Sequence, residues 1–398
     1  MIFQEEFVIL SNEIEIQNPG GKGAGTQMKV LIMSVKAGYG HHSTAQALID
    51  CLAERGIECE MLDVFDYINS TLSETIDGAY MFSTKNFPEF YGKAYNMLDK
   101  RVEPSTFMDM LSRVLSYKLK DYIVEYNPDV IVGTHNFACA AVTYMKKKQV
   151  VTCPTIGVVT DFTVHPFWES TDMDWYVTAD ALLDNQMRKK GINKERILPF
   201  GIPINRKFLK KVPRKQARLQ LGIPDKRTLL LMMGSMGFGN IEKQLEAIMT
   251  MDLDVQVLCV CGKNEKMKRE IDSHENWRGK IKTYGFVDNV DLMMDASDLI
   301  ITKPGGLTTS ELLAKRLPAI IMNPIPGQED RNMQFLVNNG AAIAVSDTFG
   351  LDEAIYGIFS NNWRHRLLKL SAARLGKPHS TTMLCDFIEK LIKDKKGH

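Results

Sequence analysis

The chain reads as an α/β protein of two doubly wound domains facing a cleft, and three observations predict it. Short apolar, β-branched runs alternate with longer helical patterns along its length, the signature of parallel sheets with helices on both faces. The alternation breaks at "FGIPINRKFLKKVPRKQAR", where Pro203 and Pro213 punctuate a basic stretch. A length of 398 residues is enough for two cores of ordinary size.

In the first half the predicted strands are "KVLIMS" (29–34), "CEMLDV" (59–64), "DVIVGT" (129–134), "VTCPTIGVVT" (151–160) and "WYVTA" (175–179). In the second they are "TLLLMMG" (228–234), "VQVLCVCG" (255–262), "KIKTYG" (280–285), "DLIITK" (298–303), "PAIIMN" (318–323) and "AAIAV" (341–345). Ligands of such sheets bind beyond the carboxyl ends of the strands, and interdomain clefts are favoured sites. Between Asp66 and Asp121 the rhythm fails. Helical segments there hold Tyr80, Phe82, Phe87, Phe90, Tyr91 and Tyr95, with lysines interleaved. Such an insertion either packs on its own sheet or offers an apolar surface to lipid.

Composition sets the class. Apolar residues at 44% and charged residues at 24% describe a soluble globular protein, and a net charge of +1 gives no global field for nucleic acid. Charge is uneven locally: the run 206–218 has seven basic residues and no acidic one, and the tail "EKLIKDKKGH" is mainly basic. Each reads as a solvated segment or as an attraction to anionic membrane. The seven cysteines form no zinc-type pattern; Cys259 and Cys261 read as small core residues on one face of a buried strand. No apolar run reaches the 18 or so residues of a membrane span, and residues 1–27 read as a leader, with Met28 opening the folded unit.

Three glycine loops follow predicted strands. In "TKPGGLTTSELLAK" the glycines let backbone N–H groups approach a ligand, and the following helix start, with Lys303, offers an anion site. The same letters spell a capping box, Thr308-x-x-Glu311, that needs no ligand. Spacing alone leaves the two readings equal. In "SVKAGYGHHSTAQAL", Gly38 and Gly40 permit a tight turn, Ser43 or Thr44 can cap the helix, and His41 beside a helix N-terminus is kept neutral, as a base. The third, "MMGSMGFGN", repeats the theme with Gly234, Ser235, Gly237 and Gly239. None of the three is a dinucleotide or Walker loop. The triplets Asp172/Asp174 and Asp252/Asp254 precede strands, the wrong end for a site, and read as turn residues; no metal is implied.

With these residues laid out, the chain resembles glycosyltransferase family 28, in the branch of monogalactosyldiacylglycerol synthase and processive diacylglycerol glucosyltransferase. The resemblance runs from about Met28 to the C-terminal region, on "SVKAGYGHHSTAQAL", "VVTDFTVHPFW", "FGIPI", "MGSMGFGN", "YGFVDNVDLMMDASDLIITKPGGLTTSELLAKRLPAI" and "NPIPGQEDRN". It implies a GT-B fold: an acceptor domain over 28–205, a UDP-sugar domain over 206–360, and a helical segment, 361–398, crossing back to the first. Uracil would meet the backbone at Phe286 and Val287. The diphosphate would meet Gly305, Gly306, Leu307 and Thr308, and Glu311 would hold the ribose hydroxyls. Gln328 and Glu329 would hold the hexose hydroxyls, and the donor set extends to Gly234, Ser235, Gly237, Gly262 and Lys303. His41 matches the family's histidine as base, with His42 and Asp161 as alternatives, Asp161 also as an orienting group.

The implied activity is inverting, metal-independent transfer of a hexose from UDP-glucose or UDP-galactose to diacylglycerol or a glycosyldiacylglycerol. No cofactor is implied, and the enzyme would sit in the cytoplasm, attached peripherally to the inner face of the membrane through anionic lipid. The alternatives are a transferase with another lipid-linked acceptor, and a UDP-sugar epimerase or sensor on the same scaffold. "PGQED" does not separate glucose from galactose, and the number of sugars added and the oligomeric state are silent.

Overall fold

A computed structural model describes residues 28–35, 39–68, 105–234 and 241–396. The leader, Gly38, Gly239 and the aromatic stretch Tyr80 to Tyr95 lie outside the described residues.

The described residues form two six-stranded, all-parallel sheets. The first holds β1 (Lys29–Ser34), β2 (Glu58–Asp63), β3 (Val130–Gly133), β4 (Thr155–Val158), β5 (Trp175–Val177) and β6 (Ile197–Leu198), in the order β2-β1-β3-β4-β5-β6. The second holds β7 (Arg227–Met232), β8 (Val255–Val260), β9 (Ile281–Tyr284), β10 (Leu299–Thr302), β11 (Ala319–Ile321) and β12 (Ala342–Ala344), in the order β12-β11-β10-β7-β8-β9. Every predicted strand is present. Two-residue β6 was not predicted, being too short to show a period.

Strand order positions the site. The chain winds β1 to β2, then returns to place β3 on the other side of β1. The second sheet does the same with β10 beside β7. Each reversal opens a crevice at the carboxyl ends of two central strands, where open α/β sheets bind ligands. The loops at these two crevices are the ones that carry His41, Gly234 and "TKPGG".

Two connections join the halves. The basic run is only partly solvated. Arg218 is buried against Asp298 (2.7 Å) and also pairs with Asp225 (2.9 Å). Buried Lys315 pairs with Asp295 at 2.6 Å, and Asp295 also accepts Val212 N–H at 3.0 Å. This fastens the linker to the second half. At the other end, helix Asn362–Leu375 stays with the second half, on helices Gly306–Lys315 and Leu351–Phe359, whereas Ser380–Lys396 packs on the first half. Its Leu384, Cys385, Ile388 and Ile392 share a core with Val30, Ile32 and Leu48. Ser380 and Thr381 donate to the Ile202 and Ile204 carbonyls at 2.9 and 2.6 Å, and Arg55 meets Asp386 at 2.6 Å.

Candidate active site

His41 comes from the first turn of helix Tyr39–Ala53, at the crevice between β1 and β3. The helix begins before Ser43 and Thr44, so neither caps it. The His41 Nδ1 lies 2.8 Å from the Thr134 carbonyl and 3.0 Å from Thr160 Oγ1. A carbonyl only accepts, so Nδ1 carries the proton and Nε2 keeps its lone pair. Nε2 has no hydrogen-bond partner among the described residues. Burial pushes the imidazole down to about 4, opposed by the Thr134 bond and aided by nearby His42. The neutral form expected from the helix start is therefore held mainly by desolvation. His42 Nδ1 lies 3.2 Å from Ser34 Oγ, and its Nε2 stands 3.5 Å from Asp63 without a hydrogen bond. His135, which the sequence reading passed over, packs edge-on to His41 at 4.7 Å between ring centres.

The opposite wall is helix Gly306–Lys315, following β10. The capping box, one of the two readings left equal, does not form. Gly305 is the N-cap, the helix starts at Gly306, and Thr308 and Glu311 lie inside it. The Glu311 carboxylate has no hydrogen bond or ion pair among the described residues. Burial pushes it up to about 8, with Lys207 opposing and Asp291 adding. The first-turn N–H groups, from Gly306 to Thr308, are those a helix leaves without internal partners. Gly305 faces open space, whereas Gly306 is packed: a Cβ there would fall on the Thr160 carbonyl of the first half. Leu307 points towards Gly40, within 3.9 Å of where a Cβ on that glycine would lie.

The other described donor-side candidates sit in loops or a helix start after strands of the second sheet. Gly234 and Gly262 follow β7 and β8 with φ of +82° and +59°, conformations that favour glycine. Ser235 and Gly237 lie outside the described residues. Lys303 meets Glu329 at 3.3 Å, and Glu329 also accepts Ile325 N–H at 2.6 Å; burial raises this carboxyl, with Lys303 opposing. Phe286 is 62% exposed, and Val287 packs into the core beside it. Lys207, from the linker, donates to the Asp288 carbonyl and so reaches the same loop.

The two walls meet through an amide that sequence reasoning missed. Asn332, fully buried on helix Gln328–Asn338, donates to Asp161 Oδ1 at 2.8 Å and to the Pro304 carbonyl at 3.0 Å. It accepts Phe162 N–H at 2.9 Å. Gln328 donates to the other Asp161 oxygen. Burial raises Asp161 to about 6, and the two amides oppose the shift. One signal was available: Gln328 and Asn332 are four apart, on one face of a helix. Thr160 ties the arrangement together, since it touches His41 on one side and Gly306 on the other.

Other sequence readings resolve simply. Asp172 pairs with Arg196 at 2.7 Å and Asp254 with Lys226 at 3.1 Å, as turn residues do. Cys259 and Cys261 are buried thiols 3.9 Å apart. Among the described residues no group of three or more His, Cys, Asp or Glu is placed to hold a metal, and no helix is long and apolar enough to cross a membrane.

Comparison with known proteins matches both halves. The monogalactosyldiacylglycerol (MGDG) synthase family model covers residues 41–204, and the glycosyltransferase family 28 C-terminal domain covers 228–374. A processive diacylglycerol beta-glucosyltransferase of Bacillus cereus (strain G9842) is 31% identical over 335 residues, 82% of this chain and 85% of the relative. The Bacillus subtilis (strain 168) protein of that name is 29% identical over 374 residues, 93% and 96% of the two chains. Among solved structures, MurG of Acinetobacter baumannii superposes with a TM-score of 0.61 at 15% identity, covering 91% of this chain and 99% of MurG. The GT-B architecture is thus the fold of this chain. A putative UDP-N-acetylglucosamine 2-epimerase from Listeria monocytogenes shares it, with a TM-score of 0.60 at 13% identity over 93% of this chain and 97% of the epimerase. The fold by itself therefore does not name a reaction.

Proposed function

This chain belongs to glycosyltransferase family 28, among the diacylglycerol glycosyltransferases, and is a glycosyltransferase; from that premise we propose that it moves a hexose from a UDP-hexose to diacylglycerol or a glycosyldiacylglycerol at a membrane surface. One observation carries the donor half of this reading. Glu311 is a half-buried carboxylate with no partner among the described residues, raised by desolvation, inside a helix whose N-terminus opens on the cleft. Ribose hydroxyls would supply the missing donors, and the open N–H groups would meet the diphosphate. As the bond to the anomeric carbon breaks, charge develops on the leaving UDP, and a fixed helix terminus stabilises it without reorganising.

The acceptor half rests on His41. Its Nε2 lone pair is set by the Nδ1–H bond to Thr134, so it can take the proton from an attacking hydroxyl. Base and leaving group stand on opposite walls, which suits displacement with inversion at the anomeric carbon. The relatives' name, beta-glucosyltransferase, fits that course from an α-linked donor and favours glucose as the hexose. Asp161 acts as a positioning group, its two oxygens held by Gln328 and Asn332.

The test is incubation with diacylglycerol and each of UDP-glucose and UDP-galactose, with the product's anomeric form read by NMR. A β-glycoside is expected. An α-glycoside would refute inversion, and UDP-sugar binding without any new glycolipid would refute the acceptor. His41→Ala should lower kcat by about 100-fold to 10,000-fold with donor affinity kept.

A further inference from the structure

The second half carries a surface that neither wall of the cleft uses. Helix Asn362–Leu375, "NWRHRLLKLSAARL", holds Arg364, Arg366, Lys369 and Arg374 and no acidic residue. Leu368, Ala372 and Leu375 are buried and fasten it to the domain. Its outer stripe is apolar. Trp363 is 65% exposed, Leu367 43% and Leu370 54%, and with Arg374 they fall at i, i+4, i+7 and i+11 on one face. Arg364 and Arg366 flank that stripe on either side.

The ground around it is cationic. Lys369 is pushed below its usual value by burial and then by Arg214 and Lys211, with Asp298 opposing; His365 is lowered by burial and then by Lys369. Asp298, the acidic group facing both, is committed to Arg214 and Arg218 at 2.7 Å each. Among the described residues Arg364, Arg366, Arg374, Lys211 and Lys215 have no ion-pair partner. Leu219, on the adjoining helix Arg214–Gln220, is 79% exposed.

We propose that this face of the donor domain docks on an anionic bilayer, with Trp363, Leu367 and Leu370 entering the headgroup region and the flanking arginines meeting lipid phosphates. An apolar stripe bordered by arginine is what an interfacial helix presents. A second copy of the chain fits poorly, because a two-fold contact would bring the same cationic patch against itself. The inference deepens the membrane-surface reading above by naming a surface, and it places that surface on the UDP-sugar half.

The experiment uses the full chain with phosphatidylglycerol or phosphatidylcholine vesicles, scored by sedimentation and tryptophan emission. Trp168 and Trp277 are 4% and 7% exposed and half-buried Trp175 packs on Phe387, so a blue shift on vesicle binding that Trp363→Phe removes belongs to this helix. The triple change Arg364→Gln, Arg366→Gln, Arg374→Gln should weaken binding to phosphatidylglycerol about 100-fold, a factor of about five for each cation. Leu367→Ser with Leu370→Ser should weaken it as well. Transfer to detergent-dispersed diacylglycerol should be unchanged in every variant. Equal binding to neutral vesicles, or binding indifferent to both sets of changes, overturns the proposal, as does a dimer that the changes dissociate. If vesicle binding behaves as expected but no lipid is glycosylated, the surface stands and the acceptor reading falls.

Discussion

Asp161 and Glu311 stand on the two walls of one cleft, and burial raises both, to about 6 and about 8. Their surroundings differ. Asp161 has an amide donor on each oxygen, whereas Glu311 has no partner among the described residues. The first belongs to the structure that joins the halves. The second is left for something the protein does not supply. Substitution should therefore have opposite signs at the two sites.

The largest stability effect is expected at Asn332→Ala. It strips a donor from Asp161 and orphans Phe162 N–H and the Pro304 carbonyl, a loss on the order of 3 kcal/mol. Urea unfolding of the whole chain measures it. A loss below about 1 kcal/mol would mean the joint is incidental, and the contrast would collapse.

Glu311→Gln should act the other way. A folded-state value raised from 4.5 to about 8 means the folded protein favours the protonated acid, so this group's penalty grows as pH rises through that window. At pH 8.5 the glutamine protein should be more stable by on the order of 2 kcal/mol, while its donor KM rises at least about ten-fold. Destabilisation with donor affinity intact would show that the carboxylate already has a protein partner.

A smaller effect sharpens the same point. If the ionised form of Glu311 binds ribose, UDP affinity should rise several-fold between pH 6.5 and pH 9 as the group ionises, and the Glu311→Gln protein should show no such rise. Calorimetric titration of UDP across pH reads this directly. Smallest of all is Thr309→Val. The Thr309 hydroxyl is buried with no hydrogen-bond partner among the described residues, but it is wholly shielded from the cleft. Removing it should be neutral or stabilising by about 1 kcal/mol, with donor affinity unchanged. A loss of affinity would make the buried hydroxyl part of the site after all.

Much of this was legible beforehand because strand and loop signals are local. A buried parallel strand such as "DLIITK" announces itself by six consecutive letters, and "TKPGG" by its glycines. What failed was also local in form but not in cause. Thr308-x-x-Glu311 has the letters of a capping box, yet the helix starts three residues earlier, with Gly305 as its cap. Gly306 also packs the side where a Cβ would stand against Thr160, far away in sequence, a contact that no local pattern announces. Asn332 carried only the hint of its spacing from Gln328, because its partners Asp161 and Phe162 lie 171 and 170 residues away.

The sequence by itself determined the two parallel sheets, the carboxyl-end glycine loops and the residue types offered to a nucleotide sugar. All of these depend on periodicity and backbone freedom within a few residues. Tertiary structure decided which of those residues are free. It packed Gly306 on Thr160 at the joint between the halves, tied both Asp161 oxygens, set the proton on His41 Nδ1 and left Glu311 without a partner among the described residues. Partnership and desolvation depend on what the other half of the chain brings within a few ångströms, and no local pattern encodes that.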